Sequence, residues 1–116
     1  MLNDYQAGTL TLLAPDLLHA EIGNIVWKKH RFQGMAAADA QLVLDSFRAL
    51  TFTLTSASVL LAEAYAIATA YQRTVYDALY VALSVREQCT MVTADQKLIA
   101  AVGAVFPQVM WVANWP

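Results

Sequence analysis

The chain has 116 residues, of which 59% are hydrophobic and 14% charged, and its net charge is −2. That length suits one domain spanning 1–116. The near-neutral charge excludes a protein that holds nucleic acid by a strongly basic surface, though not a nuclease whose metal ions supply the positive charge. No run of about 18 uninterrupted apolar residues is present, so no transmembrane helix and no membrane partner are expected. The opening MLNDYQAGTL lacks the basic-then-apolar pattern of a secretory signal. A single cysteine, Cys89, excludes an internal disulfide and fits a reducing cytosol, so the expected location is cytoplasmic.

Residues 1–8 read as a helix tail or a loop. Thr9 to Ala14 (TLTLLA) predicts a short strand ending at Pro15. Asp16 then caps a helix from Leu17 to His30, with Leu18, Ile22, Ile25 and Val26 on its apolar face and Lys28, Lys29, His30 and Arg31 at its carboxyl end. Gly34 interrupts the pattern. Ala36 to Leu50 is a second helix, and Thr51 to Thr55 (TFTLT) alternates as a strand. Ala57 to Tyr71 and Thr74 to Gln88 are two more helices separated by a turn. Thr90 to Thr93 (TMVT) is a short strand, Asp95 to Val102 a short helix stopped by Gly103, and Val109 to Val112 (VMWV) a final strand. Strands alternating with helices predict an α/β fold, with a mostly parallel sheet covered on both faces.

Ligands of such sheets bind beyond the carboxyl ends of the strands, where the following helices begin. Asp16, Glu21, Asp77 and Asp95 all lie near such positions. Each has a plainer reading. Asp16 is an ordinary helix cap. Thr74-Val75-Tyr76-Asp77 resembles a capping box with Asp in the acidic place, and Asp95 opens a helix after a strand. Glu21 is too deep in its helix to cap it, and a solvated helix edge suits it. Asn24, a turn further on, could bond the same ligand or water. Carboxylates gathered without matching bases repel one another, and a divalent cation relieves that repulsion. Oxygen ligands favour magnesium or manganese. Asp77 is the most pointed case, because it stands inside the apolar run TVYDALYVAL, where an unpaired carboxylate would be costly.

Other chemistries find little footing. His19 and His30 have no metal spacing, Ser56 and Ser58 have no nearby histidine, and the four glycines form no phosphate loop. Trp27, Trp111 and Trp115 read as packing or interface residues, and Cys89 as a semi-buried thiol.

Three segments carry a family resemblance. They are Ala14-Pro15-Asp16-Leu17-Leu18-His19-Ala20-Glu21-Ile22-Gly23-Asn24, Thr74-Val75-Tyr76-Asp77-Ala78-Leu79-Tyr80 and Val92-Thr93-Ala94-Asp95-Gln96-Lys97-Leu98. In this order and spacing the chain resembles the PIN-domain nucleases, in particular the VapC-like toxins of toxin–antitoxin pairs. The resemblance implies a three-layer α/β/α sandwich and a metal-dependent endoribonuclease. It implies that Glu21, Asp77 and Asp95 hold Mg2+ or Mn2+, with Thr93 and Asn24 in support. RNA as substrate, a cognate antitoxin and a homodimer are the implied partners. RNA would approach over Lys28, Lys29, Arg31 or Lys97, each of which also suits a plain solvated face, while Tyr5, Trp27, Phe32 and Phe47 are interface candidates that also suit a core.

One departure is visible. The family pattern opens with an apolar strand carrying an aspartate, in the middle of the sheet. Asp4 follows no such strand. Losing several backbone hydrogen bonds at about 1 kcal/mol each matters against a stability of about 5–15 kcal/mol. A start site placed too late is the preferred explanation, ahead of a degenerate gene or a partner chain that fills the gap. Two other functions compete with the nuclease: an inactive remnant that dimerises or binds antitoxin, and, further off, a receiver-like or nucleotide-binding domain.

Overall fold

The computed structural model describes Gly8 and residues 10 to 115. In chain order it contains β1 (Leu12–Pro15), α1 (Leu18–Phe32), α2 (Ala37–Arg48), β2 (Phe52–Thr55), α3 (Ala57–Tyr71), α4 (Val75–Glu87), β3 (Met91–Thr93), α5 (Gln96–Val102), β4 (Val109–Trp111) and a 3-10 turn (Val112–Asn114). The expected alternation of helices and strands is therefore present. The reading of residues 1–8 falls, Gly8 apart, outside the described residues, as do Asp4 and Tyr5.

The strands pair in parallel, but as two separate couples. β1 runs beside β2, with Leu12 opposite Phe52 and Pro15 opposite Thr55. β3 runs beside β4, with Met91 opposite Val109 and Thr93 opposite Trp111. Among the described residues β1 and β3 are not paired with each other. An apolar groove of about 380 Å3 lies along both, lined by Leu12, Ala14, Leu83, Met91 and Val92, with Tyr80 and Trp115 also on its wall. The Cα radius of gyration is 15.1 Å, above the roughly 13 Å of a close-packed chain of this length.

The interior is organised around α4. One cluster joins Leu60, Ala64 and Ala68 of α3 to Ala78, Leu79, Ala82 and Leu83 of α4, with Leu13 of β1 against it. The alanines let the two helix backbones approach closely, so little side-chain volume is needed to fill the contact. The other cluster sets Val81 of α4 against Leu98 and Val102 of α5 and Val109 of β4. Ala78, Leu79 and the four residues Val81 to Ser84 are buried on nearly all sides of α4. That burial explains why TVYDALYVAL is so apolar. Ser84, the buried polar residue that follows it, donates to the Val81 carbonyl at 2.6 Å and accepts from Gln108 Nε2 at 3.2 Å, so its desolvation is offset.

Helix ends follow local chemistry, with one correction. Ser56 accepts from the Ser58 amide, Thr74 from the Asp77 amide, and Asp95 from the Lys97 and Leu98 amides. Gln72 and Gln88 close α3 and α4 in the left-handed region, at φ 54° and 52°. Asp16, however, does not cap α1. The residue there is Leu17, with no side-chain cap. Parallel pairing of β1 with β2 carries Asp16 to the start of α3, where its Oδ1 accepts from the Ala57 amide at 3.1 Å and its own amide donates to Thr55 at 2.9 Å. The carboxylate thus satisfies the helix that follows the neighbouring strand.

The α1–α2 pair is only partly covered. Val26 is the buried residue of α1, while Ile25 is 49% exposed, and α2 buries no residue. His19 meets the rings of Phe47 and Phe52 edge-on, and those two rings stack at 5.5 Å. These aromatic contacts tie α1 and α2 to β2.

Candidate acidic site

The turn between α3 and α4 builds the site. Gln72 reverses the chain, and the Arg73 amide donates to the Ala68 carbonyl at 3.1 Å. Thr74 then caps α4 and places Asp77 in its first turn. Asp95 arrives from the other side, at the end of β3 and the start of α5. Thr93 Oγ1 accepts from the Asp95 amide at 3.0 Å, which fixes the bend between strand and helix. Asp95 Oδ1 is used as the cap of α5, leaving Oδ2 to face Arg73.

Arg73 gathers the two aspartates. Its Nη2 lies 3.2 Å from Asp77 Oδ2 and 3.5 Å from Asp95 Oδ2. The side chains are 23% exposed for Arg73, 33% for Asp77 and 44% for Asp95, so the triad is a rim feature and not a sealed core. The Arg73 Nε is buried and has no hydrogen-bond partner among the described residues. Asp77 therefore lies beside an apolar helix body without being an isolated charge.

Glu21 is engaged elsewhere. Its Oε1 accepts a 2.5 Å hydrogen bond from the Tyr80 hydroxyl. Tyr80 is three residues after Asp77 on α4, so Glu21 stands near the same helix face, one turn further along. Burial, and then the hydrogen bond and negative charge of Glu21, hold the Tyr80 hydroxyl well above the usual phenol range. A hydroxyl kept protonated in this way is a donor to the carboxylate. Asn24 is exposed one turn after Glu21. Among the described residues, no group of three His, Cys, Asp or Glu side chains is close enough to hold a metal ion. The structure thus brings Asp77 and Asp95 together and leaves Glu21 on its own partner.

Arg73 and Tyr80 are the contacts that sequence reading missed. Each had a signal: Arg73 is four residues before Asp77, a spacing at which opposite charges meet, and Tyr80 is a tyrosine on a buried helix that needs a hydroxyl partner.

The remaining candidates include Lys97, whose amide bonds Asp95. Lys28, Lys29, Arg31 and Lys97 are exposed, and Arg31 lies over the Phe32 ring at 5.3 Å. Trp27 and Phe32 are exposed and meet edge to face at 5.7 Å, whereas Phe47 is half-buried. Cys89 is a half-buried free thiol on the groove wall, and burial, with the Glu87 charge second, pushes its pKa up. No helix among the described residues is long and apolar enough to cross a membrane. No protein-family model matches the chain, and a search of the curated proteins finds no relative.

Proposed function

We propose that the chain is a metal-dependent endoribonuclease of the PIN type, the VapC-like toxin of a toxin–antitoxin pair, with its helices and parallel strands arranged as a three-layer α/β/α sandwich. One observation carries this reading. Asp77 and Asp95, from two helices and 18 positions apart, turn their Oδ2 atoms toward the same Arg73 nitrogen. Those are two of the three acids that the resemblance singles out.

Magnesium or manganese would have two carboxylates as donors, since no three acids gather among the described residues. Both are oxygen-seeking ions, and magnesium keeps several waters and needs as few as one or two protein carboxylates plus substrate phosphate. Asp77 and Asp95 would hold the ion, and Glu21 would join by giving up Tyr80. When bound, the metal supplies an activated water and stabilises negative charge on the phosphate. The chain's own residues do the positioning. Thr93 and the α5 amides fix Asp95, Thr74 fixes the first turn that carries Asp77, and exposed Lys97, Lys28, Lys29 and Arg31 offer cations to the RNA backbone. The exposed Ile25, Trp27 and Phe32 of α1 with Leu42 and Val43 of α2 are the proposed surface for antitoxin or for a second copy in a homodimer, acting in the cytoplasm.

A second reading has its own support: an inactive module of the same fold that only dimerises or binds antitoxin. The ion pairs from Arg73 already offset part of the charge of Asp77 and Asp95 without any metal. The deciding assay is cleavage of a structured RNA with Mg2+ or Mn2+, run beside Asp77→Asn. The nuclease reading expects metal-dependent cleavage that the variant loses by at least a hundredfold. Equal cleavage by both chains would sink it, and cleavage by neither would favour the binding module.

A further inference from the structure

We propose that the groove between β1 and β3 is a docking slot for an extended apolar segment of a partner polypeptide, which pairs by its backbone with both strands and joins the two couples. Its support is the pair of strand edges and not the acids. β1 and β3 each have a strand on one side only, β2 and β4 respectively. Both line the same groove of about 380 Å3.

The hydrogen bonds of the two couples show which peptide groups face the groove. In a parallel ladder, successive residues turn their N–H and C=O groups to opposite sides of the strand. The Asp16 amide donates to the Thr55 carbonyl at 2.9 Å, and the Met91 amide to the Gln108 carbonyl at 3.1 Å. Ala14 and Asp16 therefore face β2, and Met91 and Thr93 face β4. Leu13 and Val92 turn their peptide groups the other way, and both residues line the groove. Edge peptide groups of this kind recruit an added strand. A helix cannot answer them, because its own N–H and C=O groups are spent on internal bonds. Pro15, the next residue on the open side of β1, has no N–H to offer, so pairing on that edge ends there. Strands of four and three residues give the slot a length of about 10–13 Å, enough for roughly four extended residues.

The groove wall sets the side-chain chemistry. Leu83 and Tyr80 of α4 line it, so alternate side chains of the segment meet apolar surface, and β-branched residues suit that place. The described strands cannot supply the segment, since all four are already paired. The opening MLNDYQAG is broken by Asn3, Asp4 and Gln6, residue types that seldom go inside.

The test uses the full chain, with lysine-flanked peptides whose five-residue cores are built from valine, isoleucine and threonine as the probe. Binding is read by calorimetry, and backbone amide exchange by NMR. A bound peptide is expected to slow exchange of the Leu13 and Val92 amides at least tenfold. The same peptides N-methylated at alternate core amides keep their side chains but lose those donors, and are expected to bind at least tenfold more weakly. Equal binding by the methylated peptides, protection that misses Leu13 and Val92, or no binding by any peptide overturns the proposal. Two other occupants are scored on the chain alone. Leu13 and Val92 amides that are protected without peptide and lose protection as a dimer dissociates on dilution assign the slot to a second copy. Protection without peptide that is lost when residues 1–7 are removed assigns it to the chain's own opening. Either result overturns the partner segment.

Discussion

Replacing Tyr80 by Phe deletes one hydroxyl and keeps the ring against the groove wall. The hydroxyl donates at 2.5 Å to Glu21, and hydrogen bonds to charged acceptors contribute about 1.5–3 kcal/mol when well buried. Both residues are only half-buried, so water can replace part of the loss and the lower end, about 1.5 kcal/mol, applies. At about 2.1 cal/mol/K per residue, 116 residues give an unfolding entropy of about 0.24 kcal/mol/K, and the loss becomes about 6 °C in Tm. The assay is thermal unfolding at pH 7 of the parent, Tyr80→Phe, Glu21→Gln and the double variant. The pair should show a coupling energy of about 1 kcal/mol or more. The pH dependence adds a second check. The Tyr80 pKa is raised in the folded state above its ordinary 10.0. The stabilisation is therefore complete below about pH 10, and it fades as pH rises from there through the folded-state value. The gap between parent and Tyr80→Phe should shrink over that range. Additive effects at pH 7, within about 0.5 kcal/mol, would refute the idea that Tyr80 holds Glu21 in place.

Two further outcomes test the packing. Leu60→Ala empties a side chain that is 1% exposed and whose neighbours include Ala64, Ala78 and Ala82; alanines cannot extend into the void, so a loss of about 3 kcal/mol is expected in urea unfolding, and a loss under about 1 kcal/mol would show that α3 and α4 close up around it. Cys89, with its raised pKa, should react with iodoacetamide at pH 8 several-fold more slowly in the folded chain than in urea, and equal rates would contradict its burial.

What could be read in advance was local. The helices over Ala57–Tyr71 and Val75–Glu87 follow from long apolar runs, the second opened by the Thr74 cap, and the strand at Phe52–Thr55 from β-rich alternation. What escaped reading depends on partners distant in sequence. Asp16 looked like the cap of the helix after it, yet bonds Ala57, 41 residues on, because strand pairing outranks chain order. The contacts of Glu21 with Tyr80 and of Asp95 with Arg73 span 59 and 22 positions, and neither has a periodic signature. The division of the strands into two couples was equally invisible, since three- and four-residue strands say that they pair and not with how many neighbours.

The place of α4 in both hydrophobic clusters has a consequence for how the molecule breathes. No strand-to-strand bond crosses from the β1–β2 couple to the β3–β4 couple among the described residues. Cohesion between the halves passes through α4 together with Ile67 and Tyr71 of α3 and the Arg73–Asp95 ion pair. Unwinding α4 would take buried residues out of both clusters at once. Its central amides are expected among the slowest of the chain to exchange, and Asp77 in its first turn is anchored to that helix.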